Sequence, residues 1–528
     1  MATEKTCVGI LYPSGRDGIV RPDYPDPESG RREVFIPWKN LHGAPYGMRV
    51  VCSIDDPAAL NLRGGILEVL GDPSRPDVAI TGIMRHYGLS GSFPEAVSEE
   101  AERFPADPLP AEIEEMIRAG RRDLRALPTI TMDGEDAKDL DDAISIETRP
   151  NGRFRLWVHI ADVSHYVADG SALDMEARRR GTSVYLVDRV VPMLPPRLSN
   201  GICSLNPGAD RLALTVSMDI DATGTIEDGD IFESVIRSDA RTSYNEIRDF
   251  FEQGMHRDRY GFLEKEFTAM RRLAEILRNR MRERGTLEFE FPETKVDLDD
   301  EGRPTAIYPY PISFTNGIIE DFMIACNEFV ARKFHFLKVP FVYRVHELPD
   351  PEKLRRFMRL ARNMGVKLRI RGAVRPGDLA RALEEIKGLE NGQALSQLLL
   401  RSLAKARYAP ECLGHFGLAS EFYCHFTSPI RRYPDLFIHR VIKGWLSGRM
   451  RTGEWRGDAV HVSEDSSVTE RAADQAERDT VQQKACEFMA DRIGEVFSGV
   501  VSGIIAGGFF VRLPSTVEGM VPFRSMED

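Results

Sequence analysis

A chain of 528 residues has room for three or four domains, and 42% hydrophobic with 29% charged residues is ordinary for a soluble globular protein. No apolar run approaches the ~18 residues of a membrane-spanning helix, and MATEKTCVGILYPSG has no basic segment ahead of an apolar core, so neither membrane nor secretion is expected. Seven scattered cysteines without a CxxC pair or zinc spacing fit free thiols in a reducing cytoplasm, and a net charge of −12 argues only weakly against a nucleic-acid partner.

Residues 1–82 read as short strands: VGILYPS, GIVRP, EVFIPW, MRVVCSI, GGILEVLG and VAITGIM, separated by Gly, Pro and Asp. GIVRPDYP with VFIPWKNLHGAPYGMRVVCSI resembles a cold-shock-type OB barrel that binds single strands, with Phe35, Trp38 and Tyr46 as stacking platforms or as plain core and surface aromatics. A linker and an amphipathic helix over 83–125 follow, with Ile113, Met116, Ile117 and Leu124 on one side.

The chain then reaches TITMDGEDAKDLDDAIS, residues 129–145, where strand-like runs at 127–132 and 143–147 flank six acidic residues and one lysine. Two carboxylates ~4 Å apart repel by about 4 kcal/mol at an effective dielectric near 20. Such a cluster faces water or holds a hard cation, and Mg²⁺ fits the second case because it takes carboxylate oxygens and leaves places for water and phosphate. An EF-hand loop fits poorly, since counting from Asp133 or Asp139 puts no Gly at position 6 and no Glu at position 12. Composition alone leaves a solvated loop and a metal site both open.

Pro150-Asn151-Gly152 predicts a hairpin turn, and His159 and His165 lack ligand-spaced partners and read as structural. Arg178, Arg179 and Arg180 precede Gly181 and a strand containing Tyr185. Helices are expected near 245–253 and over 257–284, the second with an arginine-rich face (Arg272, Arg278, Arg280, Arg282, Arg284) that is either solvated or a phosphate track. A hairpin around 300–302, a helix over 316–334 carrying Glu320, and a helix starting at Pro351 complete an α+β block over 126–492. Within it, CHFTSPIRRYPDLFIHR places Arg431 and Arg432 just ahead of a helix beginning at Pro434, a setting that favours phosphate. Ser467 and Glu470 have capping-box spacing for a further helix.

With TMDGEDAKDLDDA and HFTSPIRRYPDLFIHR both in view, the chain resembles the RNase II/RNase R family of 3′→5′ exoribonucleases, on the RNase R side. PMLPPRLSNGICSLNP, RGTLEFEFPE, YRVHELPDPEKL and AERD extend the likeness over nearly the whole length. The resemblance implies an N-terminal cold-shock barrel, a central RNB catalytic domain, and an incomplete S1 barrel over 493–528 marked by GGFFVRL and EGMVPF. Only the second of the family's two cold-shock barrels is matched. It implies Mg²⁺ bound by Asp133, Asp139, Asp141 and Asp142, leaving Glu135 and Asp136 outside the set. Asp141 and Asp142 with Arg431 would be catalytic, Arg431 meeting the scissile phosphate. Tyr185 would stack on the 3′-terminal nucleotide, Tyr244 and Glu320 would line the last bases, and Arg432, Phe509 and Phe510 would add RNA contacts. The partner would be the 3′ end of single-stranded RNA, the state monomeric, the products nucleoside 5′-monophosphates. Two rivals are a non-catalytic RNA-binding protein on the same scaffold, which would lose acids that are all present here, and another metal-dependent nuclease or phosphatase.

Overall fold

Residues 5–24, 33–289, 291–367, 372–389 and 392–526 are described by the computed structural model. Of the motifs above, Pro25 and Glu290 lie outside those residues, as do the first four residues of the chain. The β-branched runs of the N-terminus form β1 (Thr6–Ser14), β2 (Asp17–Pro22), β3 (Val34–Ile36), β4 (Arg49–Ser53), β5 (Leu62–Arg63) and β6 (Ile66–Gly71). They make one six-stranded sheet in the order β5-β3-β2-β1-β4-β6, closed over Leu11, Val20, Val34, Ile36, Val50 and Cys52. VAITGIM, expected as a seventh strand, is instead part of helix α1 (Pro76–His86). Its β-branched content suggests a strand, but Pro76 stands in the first turn and Val78, Ala79, Ile80, Ile83 and Met84 bury one helical face. The boundary expected at residue 82 therefore falls inside α1.

Two short helices, α2 (Glu95–Glu102) and α3 (Pro110–Arg118), lead into a seven-stranded sheet. Its strands are β7 (Arg122–Asp123), β8 (Ile130–Asp133), β9 (Asp142–Arg149) and β10 (Arg153–Ala161), then, after α4 (Val163–Tyr166), α5 (Ala172–Arg180) and the hairpin β11 (Val184–Tyr185)–β12 (Val190–Val191), β13 (Asp210–Ile220), β14 (Ile226–Arg237) and β15 (Ala240–Ser243). The order is β15-β8-β9-β10-β13-β14-β7, so the central unit takes up β7 and begins before residue 126. The β9–β10 hairpin closes on Pro150–Gly152 with Asn151 at φ 61° and Gly152 at φ 73°, values that Asn and Gly tolerate best. Beneath it a buried chain of hydrogen bonds runs Thr129–Ser145–His159–Thr215–Ser234, which accounts for His159 as a structural residue.

Helix α6 (Tyr244–Gln253) starts on a capping box of Ser243 and Glu246. The single helix expected over 257–284 is divided at Gly261 into α7 (Arg257–Tyr260) and α8 (Glu264–Arg284), which ends on Gly285 at φ 99°. Beyond the hairpin β16 (Thr294–Leu298)–β17 (Pro304–Pro309), α9 (Phe314–Phe336) packs along α8. Then come β18 (Tyr343–Val345), the three helices α10 (Pro351–Asn363), α11 (Pro376–Lys387) and α12 (Gly392–Ser402) around their own small core, and β19 (Arg407–Ala409), which pairs with β18. Helix α13 (Tyr433–Leu446) is buried along most of its length. Helix α14 (Thr452–Ala490) runs straight through Ser467 and Glu470, so these do not start a helix. Ser467 is buried and donates to the Ser463 carbonyl one turn back, and Glu470 pairs with Arg344. A three-stranded sheet of β20 (Val500–Ile505), β21 (Gly508–Arg512) and β22 (Glu518–Pro522) ends the chain.

Candidate active site

β8 ends and β9 begins at the same edge of the central sheet, so the loop between them gathers its acids there. Leu140, buried in mid-loop, is the anchor: its N–H donates to Ser204 Oγ (3.0 Å), Ser204 donates to the Lys138 carbonyl (2.9 Å), and Leu205 N–H donates to the Leu140 carbonyl (3.0 Å). Glu135 and Asp136 stay exposed, Glu135 accepting from Asn245, while Asp133, Asp139, Asp141 and Asp142 are at least partly buried.

The second wall is the loop ahead of α13. Ile430 N–H donates to Asp141 Oδ1 (2.8 Å), and Arg431 Nε stands 3.5 Å from Asp141 Oδ2. Arg431 also donates to Ser428 Oγ (3.0 Å) and remains 42% exposed, free to reach a ligand. Arg432 does not share that freedom. Its side chain is only 17% exposed and is bidentate to Asp435 (2.6 and 3.0 Å), whose Oδ1 also accepts the Ser428 N–H (2.8 Å). Arg432 thus holds the loop through Nε and Nη2, which its pairing with an internal carboxylate occupies.

The third wall is the β11–β12 hairpin. Ser183 N–H and Thr182 Oγ donate to the Arg431 carbonyl, and Tyr185, 41% exposed, donates its hydroxyl to Asp139 Oδ2 (3.0 Å). Its backbone N–H is accepted by Glu477 of α14 (2.8 Å), a residue inside the AERD motif to which the sequence assigned no task.

Burial sets the electrostatics. It raises the Asp141 carboxyl well above the usual range, and Asp139 and Asp142 push the same way against the pull of Arg431. Burial, then the charge of Asp133, pushes Asp142 up to about 7, and burial also raises Asp133. Burial raises the phenols of Tyr185 and Tyr244, reinforced by Asp139 at the first and by Asp133 and Asp142 at the second. Tyr244 therefore borders the floor. Glu320 is tied to Arg278 of α8 (3.2 Å) and makes no bond to the floor among the described residues. Phe509 packs near Phe523 on the C-terminal sheet, and its neighbour Phe510 points to the opposite face, so one ligand cannot stack on both from the same side.

Among the described residues no three acidic, His or Cys side chains converge on a single point as a ready cage. The donor set still fits a hard cation. It is all oxygen, its acids make one ion pair among the described residues, the 3.5 Å approach of Arg431 to Asp141, and Asp141 Oδ2, fully buried, has no hydrogen-bond partner. Mg²⁺ is held by one or two carboxylates with water and phosphate making up the rest, so an open set suits it better than a closed one.

Comparison with known proteins places this geometry. Residues 121–448 match the RNB domain, 24–94 a cold shock domain and 490–528 an S1 RNA binding domain. Ribonuclease R of Thermotoga maritima is 41% identical over 99% of this chain, which spans 74% of that protein. The chain belongs to the ribonuclease R family. As a member it is an RNB-type exoribonuclease. Ribonuclease R of Escherichia coli is 37% identical, again over 99% of this chain, which spans 65% of that protein. Mycoplasma genitalium RNase R in complex with double-stranded RNA superposes with a TM-score of 0.91 at 28% identity, covering 99% of this chain and 92% of that one. The same protein has also been solved with ribose methylated single-stranded RNA. No helix among the described residues is long and apolar enough to cross a membrane.

Proposed function

We propose that this chain hydrolyses RNA from its 3′ end with Mg²⁺, releasing nucleoside 5′-monophosphates one at a time with little sequence preference. The observation that carries the reading is the buried Oδ2 of Asp141, which has no hydrogen-bond partner, stands 3.5 Å from a half-exposed Arg431 and lies within the influence of Asp139 and Asp142. Asp133, Asp139, Asp141 and Asp142 would hold the ion, which when bound polarises the phosphate and makes a water acidic enough to attack. Asp141 is oriented by the Ile430 N–H, which occupies Oδ1 and leaves Oδ2 directed at the site. Arg431 stabilises charge that builds on the phosphoryl oxygens, and its exposed donors suit that task where those of Arg432 do not. Tyr185 stacks on the terminal base, a contact of about 1–3 kcal/mol that any base satisfies. Tyr244 lines the same channel, with Glu320 further along α9, and Phe509 or Phe510 offers a stacking surface on the C-terminal sheet.

A 5′-labelled single-stranded RNA incubated with Mg²⁺ tests the reading. A descending ladder that EDTA arrests, with mononucleotides as the only small product, supports it. Retained binding without degradation would instead favour an RNA-binding protein on this scaffold.

A further inference from the structure

Helix α1 belongs to the N-terminal sheet in sequence, and Arg85 ties it to Glu68 of β6 (2.6 and 2.9 Å). Its apolar face does not turn back onto that sheet alone. Ile80, Ile83 and Met84 share one buried cluster with Val184, Leu186 and Val191 of the hairpin that presents Tyr185, and with Ala473 and Ala476 of α14. Val184 and Leu186 flank Tyr185 in the chain, so they point away from the tyrosine, and α1 covers the back of the clamp.

Three residues of α14 then bridge the two units. Glu477 accepts the Tyr185 N–H (2.8 Å), and Thr480 Oγ accepts the Val187 N–H (3.3 Å). Between them Asp479 accepts the hydroxyl of Tyr87 (2.8 Å), the residue that immediately follows α1. Two residues apart on a helix is roughly 200° of rotation, so Glu477 and Asp479 face opposite partners from one rigid segment. On the N-terminal side the contact is itself braced: Tyr24 stacks on His86 at 3.9 Å between ring centres, and His86 meets Tyr87 edge-on at 4.7 Å.

We infer that Asp479 and Tyr87 are positioning residues for the nucleotide clamp, through which the N-terminal unit fixes where Tyr185 stands over Asp139. Neither makes a hydrogen bond to the acid floor among the described residues. The inference rests on the reading of Tyr185 as the clamp of the 3′-terminal base.

The test compares Tyr87→Phe and Asp479→Asn with wild type and with Tyr185→Ala on 5′-labelled RNA, reading limit-product length, KM on a short oligoribonucleotide and kcat on long RNA. Both variants keep their volume, so thermal melts should change little. The expected result is a longer limit product and a KM raised about fivefold, the equivalent of ~1 kcal/mol at 1.4 kcal/mol per tenfold. On saturating long RNA, kcat should stay within about twofold, since no transition-state contact is removed. The double variant should be no worse than Tyr87→Phe alone, because both substitutions act on one hydrogen bond, which Tyr87→Phe removes and Asp479→Asn weakens by taking away the acceptor's charge. If both variants keep the wild-type limit product and KM while Tyr185→Ala lengthens the product, the inference is overturned and the clamp stands. A fall in kcat and melting temperature with an unchanged limit product also overturns it, since that is a structural role only. If Tyr185→Ala leaves the limit product unchanged, the clamp reading itself fails.

Discussion

The loop between β8 and β9 packs Asp133, Asp139, Asp141 and Asp142 together, while the outer face of α8 carries Arg272, Arg278, Arg280, Arg282 and Arg284. In sequence both are runs of like charge that read equally well as solvated surface or as ligand site. In the fold they part. On α8 Arg278 is bidentate to Asp321, Arg282 meets Glu288 (3.0 Å), Arg284 meets Glu328 (2.6 and 3.1 Å), Arg280 donates to Thr225 (2.7 Å) and Arg272 lies over the Phe154 ring. Among the described residues the acids of the floor make a single ion pair, with Arg431, while Arg241 and Arg432 pull more weakly on Asp133 and Asp142, and burial still raises three of the carboxyls. Uncompensated buried charge is costly, and a folded chain retains it where a ligand supplies the missing partner. Density of charge does not separate site from surface; compensation does.

The comparison breaks most visibly at Asp141. Asp141→Asn should lower nucleotide release by about a thousandfold or more, the scale of losing a preorganised electrostatic group. RNA binding should survive, because phosphate contacts elsewhere supply it. Gel shift and single-turnover release on the same preparation would decide it, and release at the wild-type rate would remove Asp141 from the mechanism. Arg431→Ala should cost about a hundredfold in kcat with less effect on affinity. A loss confined to affinity would reassign Arg431 to holding the backbone.

Much of this was legible in the chain. The acid loop, its flanking strands, the hairpin turn at 150–152 and the helix after SPIRR follow from local pattern, and the structure has them. Arg432 was not legible as part of a motif in which two adjacent arginines look alike. The discriminating signal was Asp435, three residues on, at the spacing of a helical ion pair. VAITGIM and Ser467 misled for a common reason: a short β-branched run or a capping-box spacing is compatible with two local structures, and tertiary burial chooses between them. Glu477 and Asp479 were beyond reach, because their partners lie about three and four hundred residues away in sequence.

Buried histidines should behave differently from the floor when pH changes. Burial depresses His159 and His415 to about 3 and His439 to about 4. Each folded pKa lies below the unfolded value near 6.5, so the unfolded chain binds more protons than the folded one as pH falls from about 6.5 toward 4. The stability they contribute is whole above pH ~6.5 and declines below it, by up to about 1.4 kcal/mol per pH unit for each histidine. The buried acids act in the opposite sense, so the informative quantity is a difference. In EDTA, His159→Gln, whose amide can meet both Ser145 and Thr215, should show a shallower fall in melting temperature from pH 7 to 5 than wild type. Parallel curves would mean that His159 takes up a proton without unfolding.

The smallest expected effect tests the other side of the comparison. Arg282 and Arg284 are each paired with a carboxylate at the surface, through Nε in the first and both Nη groups in the second, an arrangement that contributes roughly 0–1 kcal/mol to stability and already offsets their charge. Arg282→Gln and Arg284→Gln should therefore change RNA affinity by less than about twofold and leave its dependence on salt concentration unaltered. A phosphate contact behaves otherwise: removing one lowers the slope of log K against log salt by about 0.7 on single strands. A reduced slope in either variant would show that its carboxylate partner gives way when RNA arrives, and α8 would then join the substrate path despite its internal ion pairs.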